Sequence, residues 1–409
     1  MYDTIIIGGG PAGLSSAISA KENGSDILLI EREERLGGIL KQCIHDGFGL
    51  TRYGQQLTGP EYAYRDIEKV ESLGIDTALN TFVLDAKKDN ETFVLTLTNN
   101  QGIHEVRSRS LVLAMGCRER TAKQIFIHGD RPSSIFTAGS AQHLVNLMGY
   151  LPGRRCVILG SGDIGLIMAR RLTLEGAEVL GVFEAKPKPS GLQRNISQCL
   201  NDFDIPLYLS KTVTRTIGKD RLEKVEIMDV DEKMRPIEGS EHYIDCDTLI
   251  LSVGLIPENE ISEKLGVKLS PRTKGPLVDE CLETMVDGIF AAGNCLSVND
   301  LVDYVSENGT IAGRNASEYA KSHSERNLIE VKPIQGILSI VPQYINLNGS
   351  KQATFYIRSD NDYRDMTLSI THKDEAIFIK KLHRINQAES IRVDVDLKNI
   401  QDDIEVKIC

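Results

Sequence analysis

Basic charge, long apolar runs and paired cysteines are all scarce in this 409-residue chain, and each shortage closes off a class of function. Against 58 aspartates and glutamates stand only 47 lysines and arginines, a formal net charge of −11. Nucleic acid needs a basic face for its phosphates, so it is excluded as a partner, and anionic lipid is equally disfavoured. No stretch approaches the roughly 18 apolar residues that span a bilayer. Eight cysteines are scattered along the chain, but none forms a C-x-x-C pair. Neither a zinc site nor a local redox dithiol is therefore written into the sequence. The first strand is expected to begin within three residues of Met1, so no signal peptide is expected. A cytoplasmic location with mostly buried, inert thiols is the expectation.

What is present is a globular composition, 41% apolar and 26% charged, at a length that suggests two or three domains. Two glycine-rich turns stand out. The first, IIIGGGPAGL, places Gly8, Gly10 and Gly13 in G-x-G-x-x-G spacing, and Glu31 ends the next apolar run. The second, CVILGSGDIGL, repeats the spacing with Gly160, Gly162 and Gly165, and Glu184 ends the run VLGVFE. In such a motif the first glycine permits a tight turn and the second lets backbone approach a pyrophosphate. The third lets helix pack closely on strand. The helix amino terminus offers N–H groups and partial positive charge, and the acid accepts from ribose hydroxyls. Two complete motifs imply two dinucleotides, and electron transfer between them is the natural reason to hold both. At the second site Glu184 would repel the extra phosphate of NADPH, so NAD(H) is expected over NADP(H). Lys186 and Lys188 lie just beyond and read more simply as solvated side chains than as a phosphate site.

The organisation follows from the same pattern. Strands are expected at 4–7 and 27–30 around a helix from 12 to 23, with a three-stranded meander over 81–108 and a closing strand ending at Gly116. The second unit has strands at 155–159 and 178–183 around a helix from 163 to 175, and a closing strand ending at Gly254. The run DGIFAAGN with the helix after it would return the chain to the first domain. From about Val331 short period-two runs, such as Ala353, Phe355 and Ile357, predict a small all-β domain. The fold class is thus α/β: two Rossmann-like domains, the second (119–284) inserted into the first (1–118 and 285–330), and a β-rich domain over 331–409.

The ordered set GGGPAGL, ERLGG, VLAMG, GSGDIG, SVGLIPENE and GIFAAGN resembles the two-dinucleotide-binding-domain flavoproteins (pyridine nucleotide-disulfide oxidoreductase-like). Thioredoxin reductases, glutathione reductases and NADH oxidases are among them. The resemblance covers residues 1 to about 325. It implies FAD against Gly8, Gly10, Pro11, Ala12, Gly13, Glu31, Arg32, Gly38, Val83, Ala114, Gly116, Gly293, Asn294, Leu301 and Val302. It implies a nicotinamide cofactor against Gly160, Gly162, Asp163, Ile164, Gly165, Glu184 and Gly254. The helix starting near Leu301 would aim its amino end at the flavin pyrimidine. No catalytic acid or base is implied, because the cofactors carry the chemistry.

A narrower similarity lies in GGILKQCIHDGFGL, LTGPEYA, GCRERT and SGLQRNISQCLNDFDIPLYLS, which resemble the FAD/NAD(P)-dependent oxidoreductase associated with glycerol-3-phosphate dehydrogenase homologues. It implies an electron-transfer role in a complex, with a small cysteine-rich protein and a glycerol-3-phosphate dehydrogenase-like subunit as partners; a homo-oligomer is also compatible. Two departures matter. Gly293-Asn294 stands where the family has Gly-Asp, and the run after Gly38 holds only Cys43, so a dithiol relay is not expected. Cys43 and His45 in that loop read either as an activated thiol near the flavin or, preferably, as a buried thiol and a hydrogen-bonded histidine. The rival functions are a freestanding NADH oxidase or peroxidase using Cys43, and a non-catalytic dinucleotide-binding scaffold.

Overall fold

The computed structural model describes residues 1–323, 325–373, 375–398 and 400–409. It divides into two compact units, Met1–Cys117 with Pro257–Cys409, and Arg118–Ile256. The first unit opens with β1 (Tyr2–Ile7), α1 (Pro11–Glu22) and β2 (Ile27–Ile30), and β1 pairs with β2 in parallel. Helix α2 (Gly59–Ser72) and strand β3 (Asp76–Ala78) extend the sheet on the β2 side. The N-terminus of α2 is fixed by a capping box in which Thr58 and Glu61 satisfy each other's backbone N–H.

The meander is β4 (Phe82–Asp89), β5 (Thr92–Asn99) and β6 (Gly102–Leu113). Its third strand and the closing strand, expected as two, are one twelve-residue strand. The first half of β6 pairs antiparallel with β5, and from Ser108 onward it pairs in parallel with β1. The burial pattern explains why the two halves look different: Gly102–Glu105 is exposed and Ser110–Leu113 is buried.

In the second unit, β7 (Ile135–Thr137), α3 (Ala138–Asn146), β8 (Arg155–Leu159), α4 (Asp163–Leu174) and β9 (Glu178–Glu184) come first. After α5 (Gln193–Cys199) and β10 (Leu207–Leu209) come three antiparallel strands, β11 (Lys211–Ile217), β12 (Lys224–Asp229) and β13 (His242–Asp245). Strand β14 (Thr248–Leu251) completes a five-stranded parallel sheet in the order β7-β14-β8-β9-β10. The central strands carry buried apolar runs, 156–159 and 249–251, as a sheet covered on both faces requires. The closing strand stops at Leu251, three residues before the expected Gly254.

The return to the first unit comes at Pro257, not at 285. Ile261, Val267, Val278 and Leu282 join the core of Ile5, Leu29 and Leu113, which is why residues 257–284 leave the second unit. Strand β15 (Ile289–Ala291) then pairs with Leu111–Leu113, on the edge of β6 that β5 has left free. Helix α6 (Val302–Lys321) crosses α1 closely. A Cβ on Gly309 would lie 2.2 Å from the Ala12 carbonyl oxygen, and one on Gly313 would lie 2.1 Å from that of Ser16. The Ser16 hydroxyl donates to the Gly309 carbonyl at 2.9 Å across the same crossing.

Among the described residues eight strands follow from Leu328 to Ile408, starting three residues earlier than expected. They form a five-stranded and a three-stranded sheet around a separate core that includes Phe355, Ile357, Leu368 and Val406. No helix among the described residues is long and apolar enough to cross a membrane.

Candidate dinucleotide sites

Each glycine turn sits at the carboxyl end of a parallel strand and the amino end of a helix. In the first, Gly8 has φ of +108°, and its Cβ would lie 2.4 Å from the Ala114 carbonyl oxygen. A Cβ on Gly13 would lie 1.7 Å from the Gly8 carbonyl oxygen. Protein packing alone forbids side chains at both positions. Gly10 differs: its φ is −78°, and the nearest atom to a Cβ there is Gly38 Cα at 3.9 Å. Neither strain nor crowding by the protein requires the middle glycine, and its face of the turn is open.

The second turn repeats the arrangement. Gly160 has φ of +100° and its Cβ would meet the Ser252 carbonyl oxygen at 2.0 Å; one on Gly165 would meet the Gly160 oxygen at 2.5 Å. Gly162, with φ of −68°, has nothing within 4 Å of its Cβ position. Two turns with no shared chain segment thus leave the same backbone N–H groups approachable at the same point of the motif. That is the fit a pyrophosphate needs.

The acids match as well. Glu31 is buried, and its carboxylate accepts from Gly9 N at 2.7 Å and Glu33 N at 2.9 Å. Glu184, equally buried, accepts from Ser161 N at 3.1 Å and Lys186 N at 3.0 Å. Charge-assisted bonds of this kind hold each carboxylate in place beside its turn. A carboxylate has about four lone-pair sites, so Glu31 keeps acceptor capacity for ribose hydroxyls, whereas two serine hydroxyls join the backbone donors on Glu184.

The remaining residues named from the sequence fall into groups. Gly38 lies against Gly10, since its Cβ would be 2.9 Å from Gly10 Cα. Gly293 lies against Ala12 in the same way, at 2.8 Å. Pro11 is the first residue of α1, where its missing N–H costs nothing. Ala114 N donates to the Ile7 carbonyl beside Gly8, and Gly116 follows with φ of +73°. Val83 is buried on β4, two residues beyond Thr81, whose N–H donates to the Glu31 carbonyl. Asn294 Oδ1 accepts from Asn299 N at 3.0 Å and so shapes the loop leading to Leu301 and Val302, the N-cap and first residue of α6. Arg32 is exposed. In the second unit Ile164 is exposed on the first turn of α4, and Gly254 is exposed with φ of +100°.

Cys43 follows a short 3₁₀ turn over Gly38–Gln42, and its Sγ lies 3.4 Å from the Ile39 carbonyl oxygen. Burial pushes its thiol up to about 12. The His45 ring packs at a tilt on Phe48, with centroids 5.0 Å apart. None of the eight cysteines is in a disulfide. Burial likewise raises Cys156 and Cys246 to about 12 and Cys295 to about 11.

Sequence reasoning missed the segment after Glu184. Ser161 Oγ donates to Glu184 Oε2 at 2.5 Å, and Ser190 Oγ donates to the same oxygen at 3.2 Å. Ser190 N donates to Ser161 Oγ at 2.9 Å. Asp163, at the start of α4, accepts from Leu192 N at 2.9 Å and Asn195 Nδ2 at 2.6 Å. Residues 190–195 therefore fold onto the second turn. Only the serine in GSGDIG hinted at this; Ser190 stands 29 residues further on, at the head of the SGLQRNISQCLNDFDIPLYLS run, whose resemblance says nothing of this contact.

A family model for pyridine nucleotide-disulphide oxidoreductases matches residues 2–320. The chain belongs to the pyridine nucleotide-disulphide oxidoreductase family. The family binds FAD and NAD(P)H on Rossmann-like sheets, and the chain is an FAD-dependent pyridine nucleotide oxidoreductase of this type. A ferredoxin–NADP reductase of Ignicoccus hospitalis is 25% identical over 79% of this chain and 99% of its own length. Hydrogen cyanide synthase subunit HcnB of Pseudomonas protegens is 28% identical over 64% of this chain and 59% of its own. Among solved structures, the thioredoxin reductases of T. acidophilum and Lactococcus lactis share the fold. Their TM-scores are 0.63 and 0.65, with 21% and 19% identity, over 78% and 79% of this chain and 99% and 100% of theirs.

Proposed function

We propose that the chain keeps FAD on the first turn, receives NADH on the second, and exchanges electrons with a partner protein. When bound together, the two cofactors supply hydride transfer between nicotinamide and flavin. The chain's own residues bind and orient. Gly8–Gly13 and the amino end of α1 take one pyrophosphate with Glu31 on the ribose, and Gly160–Gly165 with Glu184 do the same in the second unit. The observation that carries this reading is the middle glycine of each turn, kept small where the protein itself does not require it.

Glu184 supports NADH over NADPH, because its fixed negative charge would face a 2′-phosphate. NADPH is the second reading: Lys186 and Lys188 follow Glu184, and the Ignicoccus relative is named as an NADP reductase. The partner is supported by the absence of a cysteine pair and by a thiol at Cys43 that burial keeps protonated. HcnB and a similar opine oxidase chain of Rhizobium meliloti are, by name, components of multi-chain enzymes. A glycerol-3-phosphate dehydrogenase-like chain remains the partner suggested by the sequence motifs, with a small cysteine-rich protein as a further candidate.

The test is anaerobic mixing of the flavin-loaded protein with NADH and, separately, NADPH. Bleaching of the flavin, faster with NADH, is expected. No bleaching with either would leave the scaffold reading. Rapid oxygen turnover by the isolated protein, lost in Cys43→Ser, would favour the oxidase.

A further inference from the structure

The family match ends at residue 320, yet the β domain beyond it makes charged contacts with the start of α6. Two carboxylates flank that helix end. Asp300, just before the N-cap, accepts from Arg358 Nη2 at 3.1 Å and from the Ser390 hydroxyl at 2.6 Å. Glu307, in the second turn, takes a two-pronged bond from Arg392, Nε at 2.8 Å and Nη2 at 2.6 Å. The Tyr356 phenol donates to the same carboxylate at 2.6 Å, and burial pushes that phenol up, so it stays a donor. Arg358, Tyr356, Ser390 and Arg392 all belong to the β domain. The side chains of both pairs are partly shielded from solvent, and the forked bond of Arg392 to Glu307 fixes its geometry.

The helix end itself needs such help. Leu301 at the N-cap has no side chain that can accept from the first-turn N–H groups, so those donors and the partial positive charge stay available. Asp300, Asp303 and Glu307 together would cancel that charge. Asp303 is held by the Thr51 N–H at 3.0 Å, whereas Asp300 and Glu307 are neutralised by arginines from the β domain.

We propose that the β domain is an electrostatic clamp on α6, with Arg358 and Arg392 as positioning residues that raise the reduction potential of the flavin bound in the first unit. The inference rests on the proposed FAD site, and it gives the added domain a role in the redox chemistry. A cation paired beside the helix end favours the negative charge of the reduced flavin. Its removal leaves a bare carboxylate there and disfavours that charge.

The experiment is a dye-equilibrated reduction titration of the full-length, flavin-loaded protein. In Arg358→Gln/Arg392→Gln the equilibrium should shift toward oxidised flavin by about tenfold, about 30 mV more negative for a two-electron couple. Glu307→Gln, which removes a negative charge beside the helix end and leaves Arg392 paired only with Asp394, should shift it the opposite way. The exposed β-domain residue Arg364, changed to Gln, should leave it unmoved. Opposite signs from the two sides of one ion pair are not produced by simple loosening. Retained flavin with an unmoved potential in both the double variant and Glu307→Gln would overturn the clamp. A wild-type protein that holds no flavin would instead overturn the site on which the clamp depends.

Discussion

At the first turn Glu31 is held by two backbone N–H groups, Gly9 and Glu33, and the strands around it are core strands of the unit. At the second, Glu184 takes the equivalent bonds from Ser161 and Lys186, but two hydroxyls join them, one from Ser161 and one from Ser190. Helix α1 begins with Pro11 and has no acid in its first turn; α4 begins with Asp163, which holds Leu192 and Asn195. The binding groups of the first turn are thus committed to the core, and those of the second are shared with a surface segment. A cradle built into the core suits a resident cofactor. One whose groups are shared with a displaceable segment suits a cofactor that comes and goes.

The comparison can be broken most forcefully at the glycines. Gly8→Val should unfold or aggregate the protein, because φ is positive and backbone lies 2.4 Å from the new Cβ. Gly10→Val should leave the melting temperature of flavin-free protein within a few degrees, since the backbone there suits any residue. Its flavin affinity should fall about a hundredfold, the upper range of overpacking costs. Equal melting losses in the two variants would show that the middle glycine is structural after all.

The acids come next. Glu184→Ala should weaken NADH binding about tenfold or more, the worth of one charge-assisted bond, without releasing FAD. Glu31→Ala should release FAD on gel filtration instead. Ser190→Ala probes the difference directly: it frees the 190–195 segment from Glu184, so KM for NADH should fall a few-fold, about the worth of one hydrogen bond. A rise in KM would mean that Ser190 binds the cofactor rather than covering its site.

The smallest expected effect is at Cys43. Its thiol is shifted upward from an ordinary value of 9.0 to about 12, so the folded protein holds it protonated across neutral pH. Cys43→Ser should therefore leave the pH profile of flavin reduction between about pH 6 and 9 superimposable on that of the parent. A profile that loses a basic limb would show that the thiolate takes part.

Much of this was legible in the residues. The two turns, the acids that follow them and the strands on either side are local features set by spacing. The merger of the meander and the closing strand into β6 was hidden, because one strand changes partners at Ser108 and its burial changes with them. The domain return at Pro257 was hidden for a related reason. Val267, Val278 and Leu282 mark a core, but nothing in their spacing says which core. Ser190 and the arginines of the β domain act over long sequence separations, and no local pattern reports such a pairing.

The most direct test of the two-site account is Gly162→Val, purified with its flavin and mixed with NADH in the absence of oxygen. The account predicts that the variant stays yellow, carries as much FAD as the parent and is reduced by dithionite, yet is not bleached by NADH. Bleaching at the parent's rate, or loss of FAD from a variant changed only in the second unit, would contradict it.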